Sequence, residues 1–135
     1  MMGGTFDPIH HGHLSSARQT ALAFGLERIL LVLAARPSHR TARPVAMVED
    51  RLAMLRLATN GDPLFEVSDV EAARPGPSYT YDTLVLLAER FPATKLHLIM
   101  GIDAFAEIDS WYRSGEILEL ASVIVTTRPG HDFPA

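Results

Sequence analysis

The densest chemistry in the chain lies in Gly3-Gly4-Thr5-Phe6-Asp7-Pro8-Ile9-His10-His11-Gly12-His13-Leu14, where glycines, a hydroxyl and three histidines fall within twelve residues. Glycines let main-chain N–H groups come close to a polyanion, and a helix starting near Gly12 turns its positive dipole end to the same place. His10 and His13, on either side of Gly12, are spaced so that two imidazoles converge on one phosphate as a strand passes into a helix. Such donors suit phosphoryl chemistry, in which catalysis is largely positioning plus stabilisation of charge on the phosphoryl oxygens. His10, His11 and His13 are also material for a metal site. A closed zinc site wants a fourth ligand and second-shell partners, however, so a phosphate cradle with no protein-held metal is the expectation. Asp7 and Pro8 are expected to shape the turn, and His11 to face solvent.

Further along, Arg36, Pro37, His39, Arg40, Arg43 and Pro44 make a polar, basic stretch, read as a loop with a second anion site. Taken singly, Arg36 and Arg43 read as solvated. Gly101-Ile102-Asp103 follows an apolar run. Asp103 there can accept hydrogen bonds from two sugar hydroxyls or cap the next helix, and the two roles can coexist.

The run GGTFDPIHHGHL resembles the signature of the His-x-Gly-His nucleotidyltransferases, and most closely that of the bacterial nicotinate-nucleotide adenylyltransferases. The resemblance covers essentially the whole chain. It implies transfer of AMP from ATP to nicotinate mononucleotide, giving deamido-NAD and pyrophosphate in NAD biosynthesis, with Mg²⁺ accompanying ATP. His10 and His13 would be the catalytic pair holding the triphosphate, with Gly4, Thr5 and Phe6 offering main-chain contacts and Gly101 and Asp103 reaching the ATP side through ribose hydroxyls. Pro37-Ser38-His39-Arg40 matches a Pro-x-His-Lys-type segment, so His39 and Arg40 would grip the mononucleotide phosphate. Arginine in place of lysine keeps the charge but presents a planar fork. Pro77-Ser78-Tyr79-Thr80 and Ser110-Trp111-Tyr112-Arg113 would read the pyridine ring, through the Thr80 hydroxyl, the Trp111 face and the Tyr112 main chain. The same resemblance leads one to expect an Ile-Ser-x-Thr-x-x-Arg-type motif beyond Arg128-Pro129-Gly130, and nothing here matches it. The first strand also looks clipped, with only Met1 and Met2 before the glycines. The chain therefore reads as short of the family fold at its C-terminus. A non-catalytic nucleotide-binding fragment or diverged relative, or an enzyme using another phosphate acceptor such as pantetheine phosphate or FMN, stays open as the alternative.

These residues need elements to hold them. His13 to Phe24 carries Leu14, Ala17, Ala21 and Leu22 at helical spacing, with Gly25 as its stop. Ile29 to Leu33 is a continuous apolar run, predicting a strand covered on both faces. Val48 to Asn60 returns to helical spacing through Leu52, Leu55 and Leu57, closed by Asn60-Gly61, and Phe65 to Ser68 reads as a short strand. Thr80 to Arg90 is a helix with Leu84, Leu87 and Ala88 inward, and Ser78 is a candidate for its cap. Leu96 to Met100 is a buried strand. An irregular helical stretch around Ala104 to Ile108, a helix over Glu116 to Ala121 and a strand at Val123 to Thr127 complete the pattern. Alternating strands and helices imply an α/β fold, a Rossmann-like parallel sheet flanked by helices. In such sheets ligands sit beyond the C-terminal ends of strands, where the candidate residues fall.

With 135 residues and 47% hydrophobic content the chain can bury one core, so a single domain over 1–135 is expected. A net charge of −4 argues against nucleic-acid or membrane-surface partners and for small-molecule substrates. The absence of cysteine excludes disulfides and thiolate metal ligation and fits a reducing, cytoplasmic setting. No signal peptide is recognisable, and the longest apolar run is too short to span a bilayer. The sequence leaves an oligomer open.

Overall fold

Ile29–Leu33 forms β2, as its unbroken apolar run predicts, with four of its five side chains buried. Leu31, Val32 and Leu33 are fully covered, each contributing about 1.5–3 kcal/mol of apolar burial. The computed structural model describes residues 1–4, 11–34, 47–71 and 79–126. It divides into two units, Met1–Ser78 and Tyr79–Ala135.

In the first unit, β1 (Met2–Gly4) lies parallel to β2 with Met2 opposite Leu31 and Gly4 opposite Leu33. On its other side β2 pairs in parallel with β3 (Phe65–Ser68), Ile29 standing opposite Phe65. Parallel neighbours need crossovers, and two helices lie in them: α1 (His11–Phe24) and α2 (Val48–Thr59). α1 stops at Gly25, whose φ of 67° is open to glycine, while the Leu26 N–H donates back to the Ala21 carbonyl at 2.9 Å. Gly61, with φ 78°, follows α2 in the same way.

Ala17, Ala21 and Leu55 are buried as apolar spacing suggests, but each helix leaves one of the expected leucines exposed and buries polar residues in its core-facing stripe. In α1 the covered residues are Ala17, Thr20 and Ala21, and Leu22 is 80% exposed. At about 100° per residue Leu22 stands roughly 140° around the helix from Ala17, past the edge of the core-facing arc. In α2 the buried residues are Arg51, Leu55 and Thr59, spaced by four. Leu57, two residues from both Leu55 and Thr59, points the other way and is 77% exposed. Buried threonines are satisfied inside their own helices: Thr20 Oγ1 donates to Ser16 O at 2.8 Å and Thr59 Oγ1 to Leu55 O at 2.9 Å.

The second unit starts with α3 (Thr80–Arg90), which turns Thr83, Leu84 and Leu87 inward, with Ala88 partly covered. β4 (His97–Gly101) and β5 (Ser122–Thr126) pair in parallel, from His97 opposite Ser122 to Gly101 opposite Thr126. Between them run α4 (Ile102–Ala106), a 3₁₀ turn (Ile108–Ser110) and α5 (Ser114–Leu120). Leu84, Leu87, Leu98, Ile99, Ile117 and Ile124 are among its buried apolar residues. The class is α/β, parallel strands alternating with helices. Among the described residues no helix is long and apolar enough to cross a membrane.

Candidate active site

In the first unit the histidine segment sits at a strand-to-helix passage. β1 ends at Gly4, and α1 opens with His11, Gly12 and His13, so His13 lies in its first turn, half-buried beside an exposed Gly12. No acidic side chain occupies that turn. A helix N-terminus carries roughly half a positive charge, which is therefore left uncompensated by the helix's own first turn. Because Gly4 stands opposite Leu33 in a parallel pair, the chain leaves β1 and β2 at the same end of the sheet. The sequence places its first anion motif after β1 and its second after β2. Thr5, Phe6, Asp7, Pro8 and His10 lie outside the described residues, as do Arg36, His39, Arg40 and Arg43, and nothing is described of the His11 side chain.

One residue of this unit escapes a sequence reading. Arg51 is 2% exposed, and its Nη1 donates to the Ala34 carbonyl at 2.9 Å, the first carbonyl after β2. A buried guanidinium bonded to main chain fixes where that strand's exit begins. The available signal was its place four residues before Leu55 on the buried stripe, outweighed by the general preference of arginine for solvent.

The second unit brings together the two segments expected to read a ring. Thr80 is the first residue of α3, half-buried, with Tyr79 at the N-cap position, one residue later than Ser78. The Tyr79 ring lies 4.8 Å from that of Tyr112, and Tyr81 meets Tyr112 edge-on at 5.9 Å. The Trp111–Tyr112 segment is thereby set against the start of α3. It is approached through a stitched turn: the Ser110 N–H donates to Glu107 O at 2.9 Å and the Trp111 N–H to Ile108 O at 3.0 Å. Trp111 is half-buried and Tyr112 is 48% exposed. Arg113, which follows, has φ 53° and ψ 44° and lies at the N-cap position of α5. Its guanidinium stands 4.5 Å from the Tyr81 ring centroid, and its Nη2 reaches both Glu116 carboxylate oxygens, at 2.9 Å and 2.8 Å. The Glu116 hydrogen bond raises the proton affinity of this guanidinium, desolvation opposes it, and the Tyr112 side chain adds to the rise, so the charge is permanent.

Gly101 ends β4 and forms the N-cap position of α4, with Asp103 exposed in the first turn. A carboxylate there is favoured by the helix end. Among the described residues no group of three or more His, Asp or Glu side chains is placed to hold a metal ion.

A family model described as cytidylyltransferase-like matches residues 1–135. The chain is 47% identical over 133 residues to a probable nicotinate-nucleotide adenylyltransferase of Saccharopolyspora erythraea, an alignment covering 98% of this chain and 63% of that protein. It is 45% identical to one of the same description from Roseiflexus, over 100% of this chain and 68% of that one. The chain thus spans about two thirds of the length of the curated relatives it matches. Among solved structures, Plasmodium falciparum nicotinic acid mononucleotide adenylyltransferase complexed with NaAD superposes with a TM-score of 0.74 at 18% identity, over 97% of this chain and 75% of that one, a likeness of fold. By the whole-chain family match and these identities, the chain belongs to the cytidylyltransferase-like nucleotidyltransferases, among relatives described as nicotinate-nucleotide adenylyltransferases.

Proposed function

We propose that the protein transfers AMP from ATP to nicotinate mononucleotide, yielding deamido-NAD and pyrophosphate, as a cytoplasmic enzyme of NAD biosynthesis. The observation that carries this reading is the passage from β1, ending at Gly4, into α1, with Gly12 and His13 in the first turn. In the transfer a phosphate oxygen of the mononucleotide attacks the α-phosphorus of ATP in line. The new P–O bond forms as the bond from the α-phosphorus to the bridging oxygen breaks, and the electron pair leaves with pyrophosphate. The nucleophile arrives ionised, so no residue is needed as a base. His10 and His13 donate imidazole N–H groups to the phosphoryl oxygens, with main-chain amides from Gly4 to Phe6 beside them. Mg²⁺ enters as part of the substrate, Mg·ATP, offsetting phosphate charge. Gly101 and Asp103 take the ribose. His39 and Arg40 hold the mononucleotide phosphate, while Thr80, Trp111 and the Tyr112 main chain read its ring.

Pyrophosphate release with Mg²⁺ tests the reading: it is expected only when both nucleotides are present. His13→Ala is expected to lower kcat by about 10²–10³-fold, the range for removing one donor to a developing oxyanion. Undiminished turnover in that variant rejects the assigned mechanism. Faster release with a different phosphate acceptor redirects the acceptor while keeping the chemistry, and nucleotide binding without release makes the protein a binding module.

A further inference from the structure

The ring-reading segments of the second unit are thirty residues apart in sequence, and what joins them is a set of side chains that the proposed chemistry does not use. Tyr112 lies between Tyr79 and Tyr81, both at the start of α3. Arg113 covers Tyr81 from the next position, and Glu116, in the first turn of α5, holds the guanidinium with both carboxylate oxygens. The Arg113 backbone is the only described non-glycine residue with positive φ, so the chain reverses into α5 at the residue whose side chain makes the clasp. Left-handed backbone is unfavourable for a residue with a Cβ and persists where the surroundings hold it. Here the surroundings are a cation above a ring face and an ion pair with the following helix.

We propose that Arg113 is a positioning residue for the pyridine subsite, its clasp on Tyr81 and Glu116 fixing the Trp111–Tyr112 turn against Thr80. The inference rests on the reading of those segments as the ring-recognition site. Arg113 itself touches neither substrate nor reacting atoms; it acts through Tyr112 and Tyr81. Its effect is therefore on ring affinity and on the order of the turn, with the phosphoryl-transfer step untouched. The backbone and the side chain can be separated, because glycine accepts φ 53° without the Cβ penalty but cannot clasp.

The test compares Arg113→Ala, Arg113→Gly and Arg113→Lys with the wild type. Two readouts are used: KM for each nucleotide with kcat, and acrylamide quenching of Trp111, the only tryptophan of the chain. Arg113→Ala and Arg113→Gly are expected to raise KM for nicotinate mononucleotide about two- to fivefold, the span of an exposed cation–π contact, with kcat and KM for ATP unchanged. Both should also quench more readily without ligand. Arg113→Lys, which keeps a cation for Tyr81 and Glu116, should recover part of each loss. Wild-type quenching in the alanine and glycine variants overturns the proposal, as does a rise of both KM values in parallel. A wild type that turns over no nicotinate mononucleotide sinks the functional reading instead, and the quenching series then still decides whether Arg113 holds the turn.

Discussion

The first unit's candidate region has a strand end at Gly4 and the first turn of a helix carrying His13, while the second unit's, between Tyr79 and Glu116, has ring faces and one ion pair. The first arrangement is set by chain geometry. The first turn of a helix is in place once α1 has formed, and a helix N-terminus suits a ligand part common to every nucleotide, its phosphates. The second is set by side chains from two helices and a turn, which suits the part that differs between ligands. The contrast predicts that damage to the first region stops turnover and damage to the second alters selection. The sharpest break is therefore His13→Ala against Arg113→Ala, about 10²–10³-fold in kcat for the former and no change in kcat for the latter. Equal effects of the two on kcat would dissolve the distinction.

Next in size is a change that reaches the first region through packing. Arg51 holds the Ala34 carbonyl at the exit from β2 while itself buried. Arg51→Met keeps much of the side-chain volume but leaves that carbonyl without its donor, which costs about 1–3 kcal/mol. Urea denaturation should show the midpoint falling at unchanged m-value. A variant as stable as the wild type would mean that the carbonyl finds another donor and that Arg51 does not secure the strand exit.

The same residue shows how far the sequence could be read. Ile29 to Leu33, Phe65 to Ser68 and Thr80 to Arg90 match their predicted spans because each has one dominant pattern: a continuous apolar run, a strict alternation and a wide apolar helical arc, respectively. The glycine and histidine run stands out for a different reason: it is contiguous, so its resemblance to a family signature can be read without tertiary structure. Helix faces were harder. In α2 the core-facing stripe is Arg51, Leu55 and Thr59, and it holds an arginine and a threonine whose hydrogen bonds Ala34 O and Leu55 O accept. Leu57 carries the expected apolarity on the opposite side. The ring half of the clasp at Arg113 was not legible, since Tyr79 and Tyr81 are brought to Tyr112 and Arg113 only by tertiary structure.

A contrast between two neighbouring leucines tests that account of α2. Leu57→Ser removes an apolar side chain that is 77% exposed, so stability should stay within about 0.5 kcal/mol of wild type. Leu55→Ala, two residues away and fully buried, should cost about 2–5 kcal/mol in the same denaturation series. Comparable losses at the two positions would mean that Leu57 is covered in solution and that the buried stripe is drawn wrongly.

The smallest expected effect concerns an exposed arginine in the unit that also holds the buried one. Arg18 pairs with Asp62 Oδ2 and stands over the Phe65 ring at 5.6 Å, while the Leu64 N–H donates to Asp62 Oδ1 at 3.0 Å. The Leu64 hydrogen bond first, and then Arg18, hold the Asp62 carboxyl below its ordinary value of 3.8, against a desolvation that pushes it up. With the folded value depressed, the contribution is fully present above the unfolded value and is lost as pH falls through the folded one. Asp62→Asn keeps an oxygen for the Leu64 N–H and removes only the charge. Its urea midpoint should lie slightly below that of the wild type at pH 7, and the gap should close as the pH is lowered beneath 3.8. Solvent and salt screen such a pair, so the gap at pH 7 should also narrow at high ionic strength, whereas the loss in Arg51→Met should not. A gap that widens in acid would assign the Asp62 interaction the wrong sign.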